Sequence, residues 1–181
     1  MKSVRLVNLD HPTVENLITD PVAFEKQHGA RLNGTEKTVR FIALSTREIL
    51  RSRKMDPRWW CYLGIDETTG EVIGTCAFRG EPKDGAVEIG YLTFQQYLGE
   101  GYAVAMANLL LEVASRSGRV RTVVAHTLPK PNASSWILQR IGMRFVGKEM
   151  DPADGWVWRW EKEVAAPDAG SDFSAQAGSG I

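Results

Sequence analysis

The stretch Gln96-Tyr97-Leu98-Gly99-Glu100-Gly101-Tyr102-Ala103 joins an apolar, β-branched run, Val87 to Phe94, to an alanine- and leucine-rich run, Gly101 to Ser117. The first run reads as a strand and the second as a helix, with Gly118 as its stop. A strand that passes through two glycines into a helix leaves several backbone N–H groups pointing outward at the positive end of the helix dipole. That is the usual way to hold a phosphate without side chains. A plain tight turn before a helix would use the same residues.

Two better-known phosphate loops do not fit. The dinucleotide fingerprint needs a small residue three places after the second glycine, where Val104 stands, and an acid about 20 residues on, where Arg121 stands. A P-loop needs Gly-Lys followed by Ser or Thr, and Gly147-Lys148 is followed by Glu149.

Working outward, Trp59 to Ile65 and Val72 to Phe78 read as strands joined by the hairpin turn Asp66 to Gly70, and Ala86 to Phe94 as a third antiparallel strand. Gly90 interrupts that third strand, which marks a bulge, a close approach of another backbone or ligand, or a relief of packing. Val120 to Thr127 is a nearly apolar strand, and the helix before it makes a crossover that leaves the two strands parallel or neighbouring. Asn132 caps a short helix that ends near Ile141, with Gly142 behind it. The last strands are Arg144 to Glu149 and Trp156 to Glu161, and the second puts Trp156, Trp158 and Trp160 on one face, for a core, a homodimer contact or an acyl pocket. Ahead of all this, Asp10 and Asp20 each precede a helix with proline in its first turn, and Ser45 with Glu48 forms a capping-box pattern for a third helix, Thr46 to Arg53.

The glycine stretch also matches Gln/Arg-x-x-Gly-x-Gly/Ala. With Glu88-Ile89-Gly90-Tyr91 before it, and Pro131-Asn132-x-x-Ser135 and Leu138-Gln139-Arg140-Ile141-Gly142-Met143 after it, the chain from about Trp59 to Glu161 resembles the GCN5-related N-acetyltransferases (GNAT). The branch it resembles most is that of the ribosomal-protein N-terminal acetyltransferases.

The resemblance implies an α/β fold of the α+β kind, with a mixed, mostly antiparallel central sheet, one splayed pair of strands and helices on both faces. It implies one domain, 1–163, in which 1–58 is an acceptor-side helical segment and 59–163 binds acetyl-CoA. The implied activity is acetyl transfer to a primary amine, on a protein N-terminus or a small molecule, by direct attack on the thioester. The alternative is a non-catalytic acyl-CoA-binding or regulatory protein. Donor contacts are expected from Tyr91, Leu92 and Thr93 on the splayed strand, from Gln96, Leu98, Gly99, Glu100, Gly101, Tyr102 and Ala103 in the loop, and from Asn132 and Ser135.

The chemistry needs a deprotonated amine, and at neutral pH roughly one aliphatic amine in a few thousand is uncharged. Glu88, just before Gly90, is the first candidate base and His126 the second; a solvated strand glutamate and a hydrogen-bonded structural histidine are the plain readings. Many GNAT relatives place a tyrosine, as acid for the thiolate, four residues before a Gly-Phe. This chain has Leu138 there and Met143 in place of the Phe. Ser135 is the nearest hydroxyl on that helix and the remaining catalytic candidate, while Asn132 and Ser135 can equally serve as a helix cap and a plain helix serine.

The 181 residues suffice for one domain, and 22 basic against 22 acidic side chains give no overall pull toward nucleic acid or an anionic membrane. Cys61 and Cys76 lie in strand-like runs as small hydrophobes, and His11, His28 and His126 have no ligand spacing, so no metal is expected. No signal core or membrane-length apolar run is present, which places the protein in the cytoplasm. From Val164 on, the composition reads as a flexible tail, 164–181.

Overall fold

The computed structural model describes residues 2–164. The expected tail lies outside them except for Val164, whose amide donates to the Arg121 carbonyl at 2.9 Å and whose side chain packs on the core.

The strands are β1 (Val4–Asn8), β2 (Cys61–Asp66), β3 (Val72–Phe78), β4 (Ala86–Thr93), β5 (Thr122–Thr127), β6 (Arg144–Asp151) and β7 (Gly155–Glu163). The helices are α1 (His11–Thr19), α2 (Pro21–His28), α3 (Glu36–Arg53), α4 (Tyr102–Arg116) and α5 (Ala133–Arg140). The strands form one sheet in the order β1-β2-β3-β4-β5-β7-β6, antiparallel throughout except for the pair β4 and β5. The helix α4 crosses between those two, as the short apolar strands and the intervening helical run require.

Alternation along β4 sends Val87, Ile89, Tyr91 and Thr93 toward α4 and Glu88, Gly90 and Leu92 toward the α3 side. Close packing of α4 on the sheet uses glycine: a Cβ on Gly64 or Gly74 would run into Met106, and on Gly74 also into the Leu92 carbonyl. Met106 and Leu110 of α4, with Ile73 and Phe78 of the strands, are fully buried there.

Three expectations are corrected. The third helix starts ten residues before Thr46, at Glu36, and Ser45 is an exposed residue in its middle rather than a cap. Val39, Ala43, Thr46 and Leu50 are buried at helical spacing, so one continuous stripe outweighs the local Ser-x-x-Glu pattern. No bulge occurs at Gly90 on the β3 side, where the register runs unbroken from Phe78↔Ile89 to Gly74↔Thr93. Packing relief does not explain Gly90 either, since an added Cβ would meet nothing within 4 Å.

The break lies on the other edge. Pairing of β4 with β5 covers Ala86↔Thr122, Val87↔Val123 and Glu88↔Val124 and then stops, while β4 continues along β3 and β5 continues along β7 to Thr127. The two parallel strands therefore form a fork whose crotch is at Glu88. Of the three indoles on β7, Trp160 is core and donates to the Thr127 hydroxyl at 3.1 Å, Trp158 is half-buried, and Trp156 is 57% exposed. They lie on the α4 face with Phe145, away from the α3 side.

Candidate active site

One cleft opens at the N-terminus of α4, with a volume of about 660 Å³. Its lining includes Thr93, Leu98 to Val104, and Trp136 and Arg140 from α5. Gly99 and Gly101 have φ of +80° and +88°, a region that L side chains avoid, and a Cβ added at either position would meet nothing within 4 Å. Gly101 caps α4 without any side-chain bond, and the amides of Gly99 to Val104 make no hydrogen bond among the described residues. Only the Leu98 amide is engaged, with the Gln95 carbonyl at 3.4 Å. A run of open N–H groups at the start of a 15-residue helix is an arrangement that can hold an anion.

Side chains hold this loop from behind. The Tyr102 hydroxyl donates to buried Asp66 at 2.6 Å, and Tyr97 meets the Tyr102 ring edge-on at 6.0 Å. Burial would raise the Asp66 carboxyl, but bonds from Tyr102 and from the Thr69 and Thr68 amides outweigh it and hold its pKa below the usual range. Glu100, whose charge opposes an anion, is matched by Lys2 at 2.8 Å, and this contact raises the lysine pKa. Thr93 adds a buried hydroxyl without a hydrogen-bond partner at the edge of the same cleft, as a site built for a polar ligand would have. Diphosphate and amide groups of acetyl-CoA suit this donor set.

The second cleft, about 430 Å³, lies on the opposite face of β4 beneath α3. Phe41, Ile42 and Ile49 of α3 face Trp60, Thr75, Ala77, Gly90 and Leu92 across it. The far half of β4 is thus the wall between two clefts.

At the crotch of the fork, strand register gathers a charged network on the α3 face. Glu88 Oε1 lies 3.1 Å from His126 Nδ1 and 3.3 Å from Arg79 Nε. His126 Nε2 lies 2.7 Å from Glu149 Oε1, and Arg159 bridges Glu149 at 3.2 Å and Glu161 at 2.7 Å. Both ring nitrogens are shielded from solvent, and neither approach is aligned as a hydrogen bond, so the contacts are close approaches that fix no tautomer. Only an imidazolium would present a donor to both carboxylates.

The remaining candidates are placed otherwise. The Ser135 hydroxyl accepts from the Asn132 amide at 2.9 Å and donates to the Asn132 carbonyl at 2.8 Å, while Asn132 Oδ1 accepts from the Ser135 amide at 2.9 Å. This reciprocal cap occupies the serine in both directions. Leu138 is core, so the position where relatives carry tyrosine holds packing. Tyr91 donates to the Ser134 carbonyl at 3.3 Å, bracing the β4 side of the fork against α5, and burial pushes its pKa above the ordinary tyrosine range. Gln96 donates to the Asn33 carbonyl at 3.4 Å and is not part of the lining of the cleft at the start of α4. Sequence reasoning missed Lys2, Arg140, Arg79, Glu149 and Arg159. Trp136 and Arg140, stacked at 5.2 Å on one face of α5, were the part with a readable helical spacing.

A mixed sheet forked between its parallel strands, with an open-amide loop on one side and a Glu–His–Glu cluster at the crotch, suits a transferase of activated acyl groups. The family comparison agrees: an acetyltransferase (GNAT) domain matches residues 4–144, and the chain belongs to the GNAT acetyltransferase family, whose donor is acetyl-CoA. Among solved structures, an acetyltransferase from Salmonella typhimurium that modifies the N-terminal serine of ribosomal protein L7/L12 is similar at 16% identity and TM-score 0.61, covering 91% of this chain and 96% of that one. The ribosomal-protein-S5-alanine acetyltransferase from Vibrio fischeri is similar at 15% identity and TM-score 0.58, over 88% and 91%. A ribosomal L7/L12 α-N-protein acetyltransferase in complex with coenzyme A is similar at 19% identity and TM-score 0.58, over 91% and 94%. No curated protein matches the chain in sequence. Among the described residues no helix is long and apolar enough to cross a membrane.

Proposed function

We propose that the protein is an N-acetyltransferase that moves the acetyl group of acetyl-CoA to a primary amine by direct attack, with Glu88 and His126 acting together as the base. The observation that carries this reading is the coincidence of the fork's crotch with the Glu88–His126–Glu149 cluster, on the face that opens to the α3 cleft.

The loop amides from Gly99 to Ala103 hold the diphosphate, and the free edge of β4 beyond Glu88 aligns the thioester arm along the fork. A backbone N–H near Leu92 stabilises charge on the carbonyl oxygen. Glu88, directly or through a water, takes the proton of the entering ammonium, and His126 passes it toward Glu149, whose side chain is 38% exposed at the rim. The amine nitrogen then attacks the carbonyl carbon and the N–C bond forms; as the tetrahedral adduct collapses the C–S bond breaks, and the nitrogen's second proton passes through solvent to the departing sulfur. The departing thiolate has a conjugate pKa of about 8.5, taking cysteine as guide, so it leaves tolerably without the tyrosine that Leu138 replaces. A non-catalytic acyl-CoA-binding role is the second reading, favoured by Leu138 in the core and by the occupied Ser135 hydroxyl.

The test is free-thiol release from acetyl-CoA against a panel of amines, beside calorimetry of coenzyme A. Turnover supports transfer, and tight coenzyme A binding without turnover across the panel would replace it with the binding reading.

A further inference from the structure

The amine's surroundings are asymmetric. From Glu88 toward the far end of β4, the α3 cleft is apolar, walled by Ile42, Ile49, Trp60 and Leu92, with Phe41 70% exposed at its rim. From Glu88 toward the start of β4, a second depression continues from the shared residue Arg79 and is lined by Arg53, Lys54 and Lys83.

Its carboxylates are already matched. Glu88 faces Arg79 and His126, and Glu81 pairs with Arg119 at 3.0 Å while accepting the Asp56 amide. Arg53, Lys54 and Lys83 are all exposed and none forms an ion pair among the described residues, Arg53 resting instead over the Trp60 ring at 5.9 Å. Three uncommitted cations stand beside one end of the cleft, and the other end is greasy. Polycationic acceptors such as polyamines or aminoglycosides would meet like charge here.

Building on the acetyl-transfer reading, we infer that the acceptor is an amine that carries an apolar or aromatic substituent and, on the other side of the nitrogen, an anionic group. The apolar part occupies the cleft under α3, the nitrogen lies at Glu88, and the anion lies against Arg53, Lys54 and Lys83. A free α-amino acid and the N-terminus of an acidic peptide share this chemistry.

The experiment compares phenylalanine, phenylalanine amide, a Phe-Asp-Glu peptide amide and spermidine, by rate with acetyl-CoA and by calorimetric binding in the presence of coenzyme A. Exposed ion pairs are individually weak, so an anionic over neutral preference of about tenfold is expected for the pair of sites together, falling several-fold in R53A/K83A. Preference for phenylalanine over the peptide assigns the free amino acid, and the reverse assigns the peptide. Equal handling of acid and amide, a preference for spermidine, or a ratio that R53A/K83A leaves unchanged overturns the inference. Charge-dependent binding without turnover would sink the transfer reading and keep this one, whereas turnover of the amide alone would do the opposite.

Discussion

The two clefts on either side of β4 are built from different materials. The cleft at the start of α4 presents main chain: Gly99 and Gly101 at positive φ, a helix start without a side-chain cap, and amides with no partner among the described residues. The cleft beneath α3 presents side chains, brought from α3, β2, β3 and β4. A main-chain site depends on conformation that only glycine adopts easily, so it tolerates few changes at a few positions. A side-chain site can be rewritten residue by residue without touching the backbone.

The largest effect that could break this contrast is expected from Gly101→Glu. A side chain at φ +88° is strained, and its charge would sit among amides arranged for an anion. Calorimetry should show coenzyme A binding lost by at least about a hundredfold. Normal affinity would mean that the loop is only a turn.

Glu88→Gln should lower kcat at neutral pH by about a hundredfold with coenzyme A affinity retained, and the pH–rate profile should change shape. His126→Asn should do the same, and the double variant should cost little more than either alone if the two act as one unit. Additive losses would separate them.

The glycines of the sheet sharpen the comparison further. Gly74→Ala drives a Cβ into the Leu92 carbonyl and Met106, and should destabilise by about 1–3 kcal/mol in urea unfolding. Gly90→Ala meets open space and should shift stability by no more than about 0.5 kcal/mol while weakening acetyl-CoA binding. An equal loss of stability in both would show Gly90 to be a packing residue after all.

The smallest effect concerns Asp66, which anchors Tyr102 behind the loop. Its folded pKa is held low, so its contribution is present above the ordinary carboxylate range and is lost as pH falls through the folded value. The melting temperature should therefore drop more steeply between pH 5 and pH 3 in the wild type than in Asp66→Asn, and parallel curves would remove Asp66 from the account.

The same difference of materials explains what could be read from residues alone. Two glycines between a strand and a helix specify a local geometry, so the loop and the crossover were legible around Gly99 and Gly101, with parallel pairing one of the two arrangements that the crossover allowed. The cluster at the crotch was not, because Arg79, Glu88, His126, Glu149 and Arg159 come from separate stretches of the chain and meet only through register. Glu88 and His126 were visible as single candidates, but nothing in their spacing says that they touch. The start of α3 was misread because Ser45 and Glu48 imitate a cap inside a longer buried stripe. Ser135 was open to two readings until the reciprocal bonds with Asn132 showed where its hydroxyl goes.

The fork has one more consequence. Past Glu88 the inner margin of β4 offers N–H and C=O groups that no strand pairs among the described residues, the same template that makes an outer strand prone to recruit a foreign one. On the acetyl-transfer reading proposed above, a donor in the fork is a plug as well as a reactant, so the protein should store and concentrate better with coenzyme A than without it, with a melting temperature that climbs as the cofactor is titrated.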